Sequence, residues 1–148
     1  MPEKETLERA REDKREGKSP STQAGEFVRE EIEHIREGKH GARSAKQAIA
    51  IGLSKARRAG VKLGTPKKGT VSKETREQAV RDTRKGKSGG KGKTSTKRSR
   101  ATLRALKREG QSAGSKLALS RHARQAAAKR SAASRSRSAK KAAATRKK

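Results

Sequence analysis

The fold is decided by residues 25–60, which read GEFVREEIEHIREGKHGARSAKQAIAIGLSKARRAG. In the first part of this stretch, Val28, Ile32 and Ile35 follow one another at i, i+4 and i+7. Apolar residues at this spacing lie on one face of an α-helix. Gly38 comes shortly after them, and glycine is common directly after a helix C-terminus. The pattern therefore predicts an amphipathic helix that ends near residue 38.

A second helix is predicted after the short linker 39–43. Ser44 and Gln47 stand in the arrangement of a capping box, which marks a helix N-terminus, and Gly60 closes the helix. The apolar stripe of this helix consists of Ala45, Ala48, Ile49, Gly52, Leu53 and Ala56. We expect the two helices to form an antiparallel hairpin domain at residues 21–62. Its contact surface is predicted to consist of Phe27, Val28, Ile32, Ile35, Ile49, Leu53 and Ala56.

Residues 44–57, SAKQAIAIGLSKAR, resemble the signature of an uncharacterised family of small basic prokaryotic and phage-type proteins. The motif of that family runs close to Arg-Lys-Gln-Ala-Ile-Ala-Ile-Ala-Leu-Ser-x-Ala, after a first helix and a Gly/Lys-rich turn. The resemblance covers residues 26–58 and implies a domain of unknown function. Gly52 departs from the family, which usually has Ala there, and glycine is expected to weaken the helix by ~1 kcal/mol.

The chain has little material for a large core. Leu, Ile, Val and Phe make up 16 of 148 residues, whereas Ala alone contributes 23. Chains below roughly 20% on this count that also carry a high net charge are typically disordered. We therefore predict a mostly α protein in which a small helical hairpin carries a largely disordered basic arm.

Charge and composition divide the chain on either side of the hairpin. Residues 1–20 form a charged N-terminal segment in which Leu7 is the one sizeable apolar residue, so nothing there is expected to pack. Residues 63–96 are predicted to contain a loop, a short polar helix and a Gly/Lys linker. Residues 97–125 are predicted as a weak second helical hairpin, and residues 126–148 as a disordered Ala/Lys/Arg/Ser tail.

The cations are concentrated near the C-terminus. The formal net charge is +28, and residues 83–148 hold 23 of the 43 Lys and Arg residues with Glu109 as the one acid. The C-terminal tail is similar in composition to the tails of linker histones. A cationic segment of this kind attracts phosphate polymers and neutralises their charge. We expect a non-enzymatic, histone-like protein that binds DNA largely independently of sequence, as nucleoid or chromatin architectural proteins do, without a cofactor.

The expected location follows from what the sequence lacks. There is no cysteine, and no apolar run approaches the ~20 residues of a membrane span. The N-terminus is charged and lacks the apolar stretch of a secretory signal. We therefore expect no membrane partner and a bacterial cytoplasmic, nucleoid-associated protein, or a nuclear one in a eukaryote.

The residues predicted to contact nucleic acid are the Lys and Arg residues of the loop after the hairpin and of the basic arm. They are Arg57, Arg58, Lys62, Lys67, Lys68, Lys97, Arg98, Arg100, Arg104, Lys107, Arg108, Arg121, Arg124, Lys129, Arg130, Arg135, Arg137, Lys140, Lys141, Arg146, Lys147 and Lys148. Within this set, Arg100, Arg104, Lys107 and Arg108 share one helical face, opposite Leu103 and Leu106, which are expected to pack inward.

Two other functions remain open at this point. RNA binding, for instance by a ribosome-associated factor, would use the same phosphate contacts. A protein-interaction adaptor would instead use the hairpin at 21–62, through self-association or a protein partner.

No catalytic or metal site is predicted. Glu31 and His34 have the spacing found in di-metal helix bundles, but Ile32 and Ile35 are expected to face inward. This places Glu31 and His34 at the edge of the helix or in water. His40 and His122 have no apparent partner in the sequence.

Overall fold

The computed structural model describes residues 1–89 and 95–146. Their regular structure is α-helical, which confirms the predicted mostly α class. The helices are α1 (Lys4–Arg15), α2 (Pro20–Arg36), α3 (Ala45–Arg58), α4 (Lys73–Lys87), α5 (Thr96–Lys107), α6 (Lys116–Ala128) and α7 (Ala132–Arg146), with a 3₁₀ turn at Ser112–Gly114 before α6.

Serine side chains mark the start of most of these helices. Each of five serines accepts a hydrogen bond from the backbone N–H three residues later, which satisfies a donor that the first helical turn leaves without a partner. The five are Ser19, Ser44, Ser72, Ser95 and Ser115, which precede α2, α3, α4, α5 and α6. Ser44 begins α3 as the capping box predicts.

The predicted hairpin is present, since α2 and α3 pack along each other. Phe27 and Ile35 of α2 are fully buried, as are Ala48 and Ala56 of α3. The larger residues Val28, Ile32, Ile49 and Leu53 are only partly buried. The contact between the two helices therefore depends on one aromatic ring, one isoleucine and several alanines, which bury little area and allow a short interhelical distance.

Gly52 is required by this short distance. A Cβ at this position would lie 2.6 Å from Cα of Val28 and 2.9 Å from its backbone nitrogen. Carbon atoms in van der Waals contact are about 3.5–4.0 Å apart, so alanine does not fit without separating the helices. Gly52 therefore has a packing role that its helix propensity does not indicate, because the glycine allows α3 to approach α2.

The N-terminal segment packs, contrary to the prediction for residues 1–20. Helix α1 lies along α2, with Leu7 and Ala10 against the core cluster that contains Phe27. Arg9 Nε lies 2.7 Å from Glu26 Oε2 and joins the two helices by an ion pair. One large apolar residue and one alanine at i and i+3 suffice here, because α1 covers a ring that the hairpin leaves exposed. The compact unit therefore begins at α1 and extends beyond residues 21–62.

Helix α4 docks on α3 through a buried carboxylate. Asp82 is 1% exposed, and its Oδ2 accepts a 2.6 Å hydrogen bond from Ser54 Oγ while Gln78 Nε2 donates to Oδ1 at 3.0 Å. Ala79 is buried beside it. Gly86 lies so close to the carbonyl of Arg57 that any side chain there would clash.

The prediction of a largely disordered arm is wrong for the described residues, because residues 96–107, 116–128 and 132–146 are helical. Alanine has the highest intrinsic helix propensity, and the serine caps favour helix starts, so these segments need no core to be helical. Helices α5, α6 and α7 accordingly bury no residue of their own. The Gly/Lys linker expected before α5 lies mostly outside the described residues.

The second hairpin predicted at 97–125 also differs, because α6 packs on α3 and on the 3₁₀ turn rather than along α5. Ala113 and Gly114 of this turn are buried, and Gly114 contacts Ile35 of α2. Leu103 and Leu117, which would face each other in a hairpin, are 44% and 59% exposed. None of the helices in the described segments has the length and apolar character needed to cross a lipid bilayer.

Candidate nucleic-acid interface

Helix α5 presents a stripe of cations. At about 100° per residue, Lys97, Arg100, Arg104 and Lys107 fall within an arc of about 100°, and Arg108 continues it past the end of the helix. All five side chains are exposed. The stripe is thus a linear array of positive charge that follows one side of α5, as the spacing predicts.

The C-terminal end of α5 attaches this helix to the body of the protein. The backbone N–H of Gly41 donates to Leu106 O at 2.9 Å, and that of Ala42 donates to Gly110 O at 3.1 Å. A Cβ on Gly41 would lie 2.0 Å from Glu109 O, so only glycine permits this approach of two backbones. Leu106 is partly buried, and the cationic stripe consequently faces solvent.

The cations of α6 and α7 are also exposed. On α7 they are distributed around the helix rather than along one face, so phosphates can be met from several directions. The exposed cations from α6 onward are Lys116, Arg121, Arg124, Lys129, Arg130, Arg135, Arg137, Lys140, Lys141 and Arg146. Arg130 also donates hydrogen bonds to the side chain and carbonyl oxygen of Ser134.

These cations have no carboxylate partner within residues 1–89 and 95–146. Glu109, the one acid of the arm, lies 3.8 Å from Arg43 of the loop after α2. The acids of the N-terminal helices pair with cations of α1, α2, α3 and their loops instead. The positive charge of α5, α6 and α7 is therefore not neutralised within the described parts of the chain.

Of the remaining predicted cations, Arg98 is exposed on α5, beside the stripe, and the others within the described residues lie around the end of α3. Lys62, Lys67 and Lys68 are exposed in the loop between α3 and α4, and Arg58 is exposed with its Nε 3.6 Å from Asp82. Lys147 and Lys148 lie outside the described residues.

Arg57 is the exception among the predicted contacts. It is buried, one of its terminal nitrogens donates to Gly64 O at 3.4 Å, and burial lowers the pKa of its guanidinium against the opposing charge of Asp82. The burial of Arg57 could have been inferred from the sequence, because this residue follows Leu53 by four positions and lies at the edge of the apolar stripe. Arg57 supports the loop after α3 and is not available to a phosphate.

A buried ionic cluster at the α2–α3 contact escaped the sequence analysis. Glu30 and Glu31 are 2% and 1% exposed, which corrects the expectation that Glu31 lies at the helix edge. Lys55 of α3 reaches both, with Nζ 3.1 Å from Glu30 Oε1 and 2.6 Å from Glu31 Oε2. Burial alone would lower the pKa of Lys55, but the hydrogen bonds and charges of the two glutamates outweigh it and raise that pKa.

Whereas the pKa of Lys55 is raised, that of Glu30 is lowered. Burial alone would raise it, but the backbone N–H of Glu3 and the side chains of Thr6 and Lys55 hydrogen-bond the carboxylate and lower it. The folded protein thus keeps both Glu30 and Lys55 charged at neutral pH, inside the interface of α1, α2 and α3.

Comparison with known proteins gives a partial match. No curated protein and no solved structure matches the chain. The model of a family of unknown function, DUF6496, matches residues 11–69, which include the motif region 26–58 together with the C-terminal end of α1 and most of the loop after α3. The matched segment contains the ionic cluster and ends before α4, so over less than half of its length this chain is similar to a family without an assigned activity.

Proposed function

We propose that this protein binds double-stranded DNA through phosphate contacts, without enzymatic activity and largely without sequence preference. The observation that supports the proposal is the set of exposed cations on α5, α6 and α7, which have no carboxylate partner in the described residues. In this role the protein would act as an architectural component of a bacterial nucleoid, or of chromatin in a nucleus.

The expected strength of the electrostatic contribution can be derived from the charge. Each neutralised phosphate releases counterions and adds about −0.9 to the slope of log affinity against log salt concentration for duplex DNA. Residues 83–148 carry 23 Lys and Arg residues. If about a third of them contact phosphates, the slope is roughly −7, which is a steep salt dependence.

The residue types favour phosphates of a duplex over bases of a single strand. Single-strand binding usually relies on aromatic platforms for base stacking, and Phe27, the one aromatic residue of the chain, is fully buried. The chain also contains no asparagine, which reads adenine in the major groove. Lys and Arg contacts to the backbone position a protein on DNA but carry no sequence information.

A matched pair of charge variants tests the proposal. The interface variant carries Lys97→Gln, Arg100→Gln, Arg104→Gln and Lys107→Gln, since glutamine keeps the helix propensity. The control variant removes the same charge from exposed cations of α1 that form no ion pair within residues 1–89 and 95–146. Its changes are Lys4→Gln, Arg11→Gln, Lys14→Gln and Arg15→Gln.

Binding is measured by fluorescence anisotropy at several potassium chloride concentrations, with two DNA duplexes of different sequence and one RNA duplex. The interface variant is expected to lose about two to four units of the slope, because up to four contacts of about 0.9 each are removed. The control variant should keep the slope. Equal losses in both variants, a strong preference for one DNA sequence, or tighter binding to RNA than to DNA would each refute the proposal as stated.

A further inference from the structure

Three potential metal ligands meet beside the ionic cluster. Glu31 and His34 lie one turn apart on α2, and His40 comes from the loop that follows this helix. One ligand atom from each residue can be chosen such that all three lie within 4.8 Å of one another. Glu31 is 1% exposed, His40 is 8% exposed, and the side chain of His34 is 14% exposed. The group is therefore largely shielded from water.

The hydrogen bonds of His40 show what its second nitrogen requires. Nδ1 lies 3.0 Å from the carbonyl oxygen of Gly41, which can only accept, so Nδ1 carries the proton. In the neutral ring Nε2 then has a lone pair, yet it lies 2.8 Å from Glu31 Oε1. A lone pair facing a carboxylate is repulsive. A hydrogen atom or a metal cation must therefore lie between the two atoms.

The charges around the three ligands also favour a bound cation. Glu30 and Glu31 are two buried carboxylates, and Lys55 is the cation that contacts both. One negative charge therefore remains uncompensated if both histidines are neutral. Buried charges are costly unless they are paired or coordinate a metal.

We propose that Glu31, His34 and His40 bind one divalent transition-metal ion, with Zn²⁺ the best match to two imidazoles and one carboxylate. Zinc is bound at about 2.0–2.2 Å by such ligands, so the ligand atoms of a tetrahedral site lie about 3.3 Å apart. The separations here start at 2.8 Å and reach no more than 4.8 Å, so changes of up to about 1.5 Å bring the three atoms to that spacing. The fourth position is open to water.

The residues around the three ligands are those that metal sites use to orient them. Gly41 O holds the proton on Nδ1 of His40 and directs Nε2 inward. Lys55 lies on the other oxygen of Glu31, 2.6 Å from Oε2, and leaves Oε1 for the metal. Glu3 Oε1 lies 2.8 Å from Nε2 of His34 and restrains that ring.

The site would have a structural effect beyond the three ligands. His40 precedes Gly41 and Ala42, whose backbone N–H groups hold the end of α5. A metal ion that fixes His40 to α2 therefore also fixes the loop to which α5 is attached. Binding to the folded chain alone stabilises it, as mass action requires.

The test uses the full-length protein after dialysis against a chelator, with Co²⁺ as a spectroscopic probe and Zn²⁺ as competitor. We expect one Co²⁺ per chain with the intense visible absorption of a four-coordinate ion, displacement by one equivalent of Zn²⁺, and a higher melting temperature with Zn²⁺. The variants His40→Gln and His34→Gln should each weaken binding at least tenfold, and His122→Gln on α6 is the matched control that should change nothing.

Two results would contradict the proposal. Folded wild-type protein that binds no Co²⁺ would show that His40 and Glu31 only contact each other and that the three residues hold no metal ion. Binding that survives both ligand variants, or that is lost equally in His122→Gln, would show that the ion is held elsewhere. His34 is the most exposed of the three residues, so its variant is expected to fold, and circular dichroism checks this.

Discussion

Helix propensity and tertiary packing predict opposite effects on stability when Gly52 is replaced by alanine. In an isolated helix, alanine is more favourable than glycine by about 1 kcal/mol. Alanine is also the usual residue at this place in the motif that residues 44–57 resemble. In the folded protein, however, the new Cβ would lie 2.6 Å from Cα of Val28 and 2.9 Å from its Cγ2. The propensity predicts stabilisation and the packing predicts the reverse.

The structure allows the size of the effect to be worked out. Overpacking a closely packed contact typically costs about 1–3 kcal/mol. The upper part of this range applies, because the obstacle includes the backbone of Val28, which cannot rotate away. After the gain of about 1 kcal/mol in helix propensity, Gly52→Ala should lower the free energy of unfolding by about 2 kcal/mol.

Gly25→Ala is the matched control. Gly25 lies inside α2, and a Cβ there would meet no atom within 4 Å. This substitution should raise the free energy of unfolding by about 1 kcal/mol. Urea unfolding followed by circular dichroism measures both, and the two variants should differ by about 3 kcal/mol. If Gly52→Ala stabilises the protein as Gly25→Ala does, the close contact of α2 and α3 is incorrect.

Four further predictions concern other parts of the structure. Gly41→Ala should release α5 from the body, because its Cβ would lie 2.0 Å from Glu109 O, and amide exchange in α5 should accelerate while that of α3 does not. Folding lowers the pKa of Glu30 from 4.5 and raises the pKa of Lys55 from 10.5. The free energy of unfolding should therefore fall when the pH drops below about 4.5, as Glu30 is protonated in the folded protein. It should also fall when the pH rises above about 10.5, as Lys55 loses its proton. Lys55→Met removes the lysine that contacts both buried carboxylates and should cost about 3 kcal/mol at pH 7, with partial recovery on acidification. Urea unfolding at several pH values measures this. Helix α7 buries no residue and lacks the contacts that hold α5 and α6 to the body, so its amides should exchange fastest of the helices in the described residues. Slow exchange there would indicate a contact that the free chain lacks.

Much of the helical layout could be predicted from the sequence because its signals are local. A serine cap and the N–H that it satisfies are three residues apart, so Ser44 and Ser72 mark the starts of α3 and α4 before any tertiary contact is considered. The same holds for the α2 stripe that contains Ile35. The arm was misjudged for a related reason: low apolar content shows that a segment cannot build a core, but it does not prevent an alanine-rich segment from being helical.

The packing of α1 and the ligand group around Glu31 could not be predicted in this way. Leu7 gives no periodic signal by itself, and its place beside Phe27 depends on what the hairpin leaves uncovered. His40 lies nine residues from Glu31 on a loop, and no helical spacing rule brings such a residue back to the helix. These contacts depend on how the chain turns after α2.

By itself the sequence determined the charge, its concentration toward the C-terminus, the helix starts and the hairpin, since each depends on composition or on neighbours a few residues apart. Tertiary structure alone decided which charges are compensated. Glu30 and Glu31 have the same side chain as exposed glutamates of α1, but the approach of α3 removes them from water and sets Lys55 between them. Within residues 1–89 and 95–146 the cations of α5 have no such partner, and Glu109, the acid nearest to them in the sequence, lies 3.8 Å from Arg43 instead. Burial is a property of the assembled helices, and the pairing of charges follows from it.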